Sequence, residues 1–240
     1  MKFTLCCLAA LCIWKGSATA SPFPIYSSAS DGSTVAPAVG ASAYGAYLST
    51  GWIFGEVSVD PSWVGQAIWG QDILFTAPAE IQVGVLEGLW AADGPDGGPG
   101  TLLDIGETYT LDFLPTDSYI IVYTNYPVPA GNFWVGYSFE TYDQPSATAA
   151  QLNALAFDLG SAPTVGTTST DALLSSATGV LGNDPAISGT AGGYLAQGIY
   201  LYSTDAPETS TWALITGGIL SLVGLKFRSR KAGRTQDLTR

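Results

Sequence analysis

The 240-residue chain contains no histidine, and its three cysteines, Cys6, Cys7 and Cys12, lie within the first dozen residues. Residues 16–225 contain neither lysine nor arginine. The 8 basic residues are Lys2, Lys15, Lys226, Arg228, Arg230, Lys231, Arg234 and Arg240. Each absence closes a class of function. A body without cations has nothing to neutralise phosphates, which excludes nucleic acid as a partner and leaves no basic clamp for a nucleotide. Without histidine or cysteine it builds no thiolate–imidazole zinc site, no Ser-His-Asp triad and no thiolate nucleophile. What remains is apolar and acidic: 47% hydrophobic residues, 20 carboxylates and a formal net charge of −12. That length and apolar content suit one domain of ordinary size.

The two ends read as topology signals. Lys2 precedes an apolar run of 12 residues, Phe3 to Trp14, and Lys15 closes it. Ala18-Thr19-Ala20 then supplies the small-x-small pattern of a signal-peptidase site. Residues 1–20 are thus expected to be an export signal cleaved after Ala20, which would leave a mature chain without cysteine. Such a chain depends on its core rather than on disulfides.

At the other end, Pro207-Glu208-Thr209-Ser210-Thr211 leads into an uncharged run of 14 residues from Trp212 to Leu225, followed by Lys226, Arg228, Arg230, Lys231 and Arg234. A helix of that length is about 21 Å long, short of the roughly 30 Å hydrocarbon core of a bilayer. Lys226 can extend it by snorkelling, Trp212 suits an interfacial position, and the basic cluster is expected to stay cytoplasmic. The Pro-Glu motif, the Trp212-Ala213-Leu214 opening and the terminal basic cluster resemble the PEP-CTERM sorting signal, with Thr209 where that pattern has a second proline. The resemblance implies recognition by an exosortase-like processing enzyme and removal of the tail near Pro207 and Glu208. It covers only residues 206–240, and it implies a protein exported across the inner membrane, transiently anchored, then released to the cell surface or matrix.

Between the ends the sequence predicts an all-β domain, a β-sandwich or jelly roll over residues 44–205, preceded by a Ser/Ala/Gly-rich segment at 21–43. Period-two alternation marks Ile81–Val85, Tyr109–Phe113 and Phe133–Phe139. Trp52–Val59, Ile68–Phe75 and Ile199–Tyr202 add strands. Tyr119–Tyr126, apolar on both faces, reads as a central strand. Turn chemistry punctuates them at Asp60-Pro61, Ala77-Pro78 and Pro127–Gly131. Short helices are expected within Ala147–Phe157 and from Thr170 to Ser176.

Three constellations carry candidate chemistry. The acidic, glycine-rich loop Asp93–Gly100 places Asp93 and Asp96 where hard oxygen ligands suit Ca²⁺, with Asp104 and Glu107 as further donors if the fold brings them near. Its structural alternative is a long hairpin loop. Gly179-Val180-Leu181-Gly182-Asn183-Asp184 resembles the turn of cadherin-like bacterial adhesin repeats, some of which bind calcium; a plain Asn-Asp turn before Pro185 also explains it. Trp52, Trp63, Trp69, Trp90 and Trp134 either stack on sugars or fill a β core, and no glycan-binding residue is singled out. No motif selects a pair of the 18 acids between residues 21 and 206 for glycoside hydrolysis. The expected function is therefore a non-enzymatic structural or interaction protein associated with exopolysaccharide, with calcium as the one candidate cofactor and polysaccharide as a partner. A carbohydrate-binding module using surface tryptophans is the first alternative, and a carboxylate-only glycosidase the second.

Overall fold

A computed structural model describes residues 22–44, 47–78, 81–106, 109–113, 117–123, 125–141, 147–176 and 182–202. The expected signal segment and sorting tail, with Ala18, Ala20, Pro207, Glu208, Trp212, Leu225, Lys226, Arg228, Arg230 and Lys231, lie outside them. The body, 21–202, is one compact unit. Among the described residues it is mostly antiparallel strands with hardly any helix.

Seven strands form the first sheet: β1 (Pro22–Ser27), β2 (Ser30–Pro37), β6 (Ile68–Thr76), β10 (Asp117–Tyr123), β12 (Ala156–Gly160), β15 (Tyr194–Leu195) and β16 (Gln197–Tyr202). The second has nine: β3 (Ser42–Tyr44), β4 (Tyr47–Ser49), β5 (Trp52–Val57), β7 (Ile81–Ala91), β8 (Leu102–Ile105), β9 (Tyr109–Phe113), β11 (Phe133–Thr141), β13 (Leu173–Ser175) and β14 (Ile187–Thr190). In the first, β6 pairs with β16, β12 and β10. In the second, β11 pairs with β5 on one side and β7 on the other. Alternation sets the faces. Val83, Val85 and Leu89 of β7 and Phe133, Val135, Tyr137 and Phe139 of β11 enter one buried cluster. There they join Ile73 and Phe75 of β6 and Ile199 and Leu201 of β16. Burying each such side chain contributes roughly 1.5–3 kcal/mol. Phe139 stacks on Phe157 at 4.5 Å, tying β11 to β12.

Several expectations change. The Ser/Ala/Gly-rich segment before residue 44 forms strands of the body: β1 pairs with β16, and β2 with β12. The strand expected over Tyr119–Tyr126 is β10. Among the described residues it pairs with β6 alone, so its position is an edge rather than central. Among the strands whose burial is described throughout, β5 and β11 are buried along their whole length. In Ala147–Phe157 the helix is one turn, α1 (Ala149–Leu152), started by a capping box between Thr148 and Gln151. It stops because Phe157 and Leu159 bury their side chains at strand spacing. No helix forms from Thr170 to Ser176. Leu173 and Leu174 face opposite clusters, so the backbone takes the period of a strand, β13.

Candidate functional site

The nine-stranded sheet also has a second, covered face. Trp52 and Phe54 on β5, Trp90 on β7 and Trp134 on β11 point away from the shared core and form their own buried cluster. The Trp90 ring meets Trp52 edge-on at 5.5 Å and Phe54 at 5.1 Å. Gly136 makes this packing possible: a Cβ there would sit 2.7 Å from both Phe54 and Trp90. Three of the five body tryptophans are therefore core, at 1–2% exposure, and Trp63 packs on Phe23 at 5.2 Å. No five-tryptophan platform faces solvent.

Two loops close over this aromatic cluster, and they are the two loops singled out by composition. The Trp134 indole N–H donates to the Gly97 carbonyl at 2.9 Å, and the Trp90 indole N–H donates to Gly182 at 2.9 Å. The loops also hold each other: the Asp184 N–H donates to Gly100 at 2.8 Å, and Leu102 N–H donates to Asn183 Oδ1 at 2.9 Å. Within the first loop, Asp93 accepts from the Thr101 N–H at 2.6 Å and its hydroxyl at 2.7 Å. Those bonds hold its carboxyl below the usual range. Asp96 and Asp184 adopt left-handed backbone, with φ of 54° and 51°, a conformation Asp tolerates.

Beside the loops lies a groove of about 1260 Å³. Asp93, Asp96 and Asp184 stand on its rim; Trp134, Tyr126, Leu173 and several prolines supply apolar wall. Glu56, at the end of β5 and cross-strand from Trp134, forms part of the lining although only 5% of its surface is exposed. Oε1 accepts from Asn132 Nδ2 at 2.7 Å. Oε2 accepts from the Ser169 N–H at 2.7 Å, the Ser169 hydroxyl at 2.6 Å and the Thr168 hydroxyl at 3.4 Å. Burial pushes this carboxyl up, but the bonds from Ser169, Asn132 and Thr168 outweigh it and hold the group below its usual range. The groove therefore contains a fixed negative charge with no cationic side chain anywhere in 16–225 to balance it.

The structure thus brings Asp93, Asp96 and Asp184 to one groove. It leaves Asp104 on β8, opposite Leu89 and outside the lining; Glu107 lies outside the described residues. Among the described residues, no three Asp or Glu side chains are placed to share a metal ion, and both Asp93 oxygens are engaged by Thr101. Sequence reasoning missed Glu56, Asn132 and Ser169. A signal for the first was present: Glu56 is the one charge in the strand Trp52–Val57. No protein-family model matches the chain, and no curated protein is similar to it.

Proposed function

We propose that this is an exported, non-enzymatic protein of the cell surface or extracellular matrix, a β-sandwich delivered through its C-terminal tail, whose acidic groove is its ligand-binding site. The observation that carries the binding role is the groove at Glu56, framed by two loops that are stapled to buried indoles. A preformed concave site with an apolar wall and a few convergent polar groups is the usual form of a small-ligand site. A binding role suits Glu56 better than an acid–base role. Its oxygens already accept four hydrogen bonds, so it holds its charge rather than passing a proton.

The uncompensated negative charge favours neutral or cationic ligands. With matrix association as the setting, neutral saccharide segments fit: hydroxyls bond to carboxylates and amides while sugar faces lie on Tyr126 and the prolines. Burial of Trp52, Trp90 and Trp134 moves the carbohydrate reading from a tryptophan platform to this groove. Screening on a glycan array with Asp96→Ala/Asp184→Ala beside the unaltered protein tests it. Retention of neutral glycans by the unaltered protein, reduced tenfold or more in the variant, is the expected result. No retained glycan, or equal retention by both, removes the reading. For delivery, mass spectrometry of the surface-exposed protein from its native host is decisive. The expected chain starts at Ser21 and ends near Pro207 and Glu208, and intact tail peptides in that fraction overturn processing by an exosortase-like enzyme.

A further inference from the structure

We propose that the two sheets enclose a site for buried water, formed by Glu87 and Tyr137 of the nine-stranded sheet and Gln71 and Gln197 of the seven-stranded sheet. All four side chains are at 0–1% exposure. They occupy inward positions: Glu87 between Val85 and Leu89, Tyr137 between Val135 and Phe139, Gln71 before Ile73, and Gln197 before Ile199. They are also neighbours. Glu87 and Tyr137 are cross-strand partners. The Gln71 amide lies within hydrogen-bonding reach of the Glu87 carboxyl from the opposite sheet. The Gln197 amide reaches across to β5, into space that exists only because residue 55 is glycine, and the Tyr26 hydroxyl stands beside it.

Among the described residues, ten buried side-chain polar atoms lack a hydrogen bond of good geometry, and seven of them belong to these four side chains. Scattered orphans would be unremarkable; seven in one belt through the middle of the core are not. Left dry, at about 1–3 kcal/mol each, they would offset much of a folded domain's net stability, and the close approaches of Gln71 to Glu87 and of Gln197 to Tyr26 can satisfy only part of the set. Their chemistry says what pairs with the rest. The two amides bring N–H donors as well as carbonyl acceptors, the carboxyl in its protonated form brings one O–H donor and acceptors, and the phenol brings both. A cation would leave the amide hydrogens unpaired, and an anion would leave the oxygens unpaired. Only a neutral partner that both donates and accepts serves the set, and water is the smallest. Apolar cavities stay dry, whereas polar ones with several partners per molecule do not.

A crystal structure at a resolution that shows ordered solvent tests the proposal. Paired with it are water-to-protein NOE measurements on the side-chain amides of Gln71 and Gln197. Water within hydrogen-bond distance of Glu87 and Gln71, with long-lived NOEs to those amides, is expected. Direct repairing of the four side chains with one another, with no water between them, overturns it. In Glu87→Leu/Gln71→Leu the water signal at Gln197 is expected to weaken at least severalfold, and an unchanged signal counts against the assignment. If that variant fails to fold, Tyr137→Phe, which removes one hydroxyl, gives the same readout. The groove lies on the other face of the nine-stranded sheet, so its ligand binding can fail while this site stands, and the reverse.

Discussion

Glu56 and Glu87 are both nearly or fully buried and lie on opposite faces of one sheet, yet their surroundings drive them in opposite directions. Glu56 is surrounded by donors, which hold its pKa below the ordinary 4.5. Its ionised form therefore stabilises the fold above that value, and the contribution is lost as pH falls through the folded pKa. Glu87 is fully buried, and burial pushes it up to about 8 against the Gln71 amide, which lowers it, with Asp104 on β8 adding repulsion. Tyr137 is the other described titratable group against it. The sign is reversed: the unfolded chain releases this proton from pH 4.5 upward while the fold retains it, so stability is full below 4.5 and falls as pH rises toward 8. Urea unfolding from pH 5 to 8 should show this loss, on the order of a few kcal/mol. Glu87→Gln should flatten it, and an unflattened profile would show that the proton sits elsewhere. For Glu56→Ala the expected outcome is a loss of about 1–3 kcal/mol at pH 7, because the donors of Asn132 and Ser169 lose their partner.

At the scale of elements, the strands were legible because alternation is a local property. Ile81–Val85, Tyr109–Phe113 and Phe133–Phe139 all lie within observed strands. What was not legible depends on distant chain. Leu173 becomes strand because β5 lies beside it, some 120 residues earlier. The loop at Asp93–Gly100 announced itself by Gly and Pro, but its partner at Asn183 is 81 residues from Leu102, and no short-range pattern encodes that contact. Nor does composition show which tryptophans are core; the register across β5, β11 and β7 decides it. Two predictions belong here. Trp134→Phe keeps an aromatic ring but deletes the N–H to Gly97 and leaves a cavity where the rest of the indole packs, at about 1–3 kcal/mol together. Hydrogen exchange should then rise in residues 94–101 while β11 stays protected; unchanged exchange would mean the indole does not hold the loop. Gly136→Val forces a side chain into the Phe54 and Trp90 rings and should cost about 1–3 kcal/mol or more by thermal melt. A melt unchanged from the parent would contradict the close packing of that face.

At the scale of the whole molecule, the placement of charge governs the partners. If both ends are removed, residues 21–206 carry 18 carboxylates and no basic side chain. No side-chain ion pair can form within such a body, so its stability rests on the shared core, the aromatic face and hydrogen bonding. Outside, the same charge repels anionic polymers over about a Debye length. A matrix containing both neutral and acidic polysaccharide would therefore be bound in two distinguishable ways. Neutral segments need only the groove, and their retention should be indifferent to chelation. Acidic segments need a divalent cation between carboxylates on each side, since the protein offers no cation of its own. Retention on an immobilised acidic polysaccharide should therefore require millimolar Ca²⁺ and be abolished by EDTA, while retention on a neutral one stays within twofold. Calcium-independent binding to the acidic polymer at physiological salt would overturn this, because it would require a positive surface that residues 16–225 have no side chain to make.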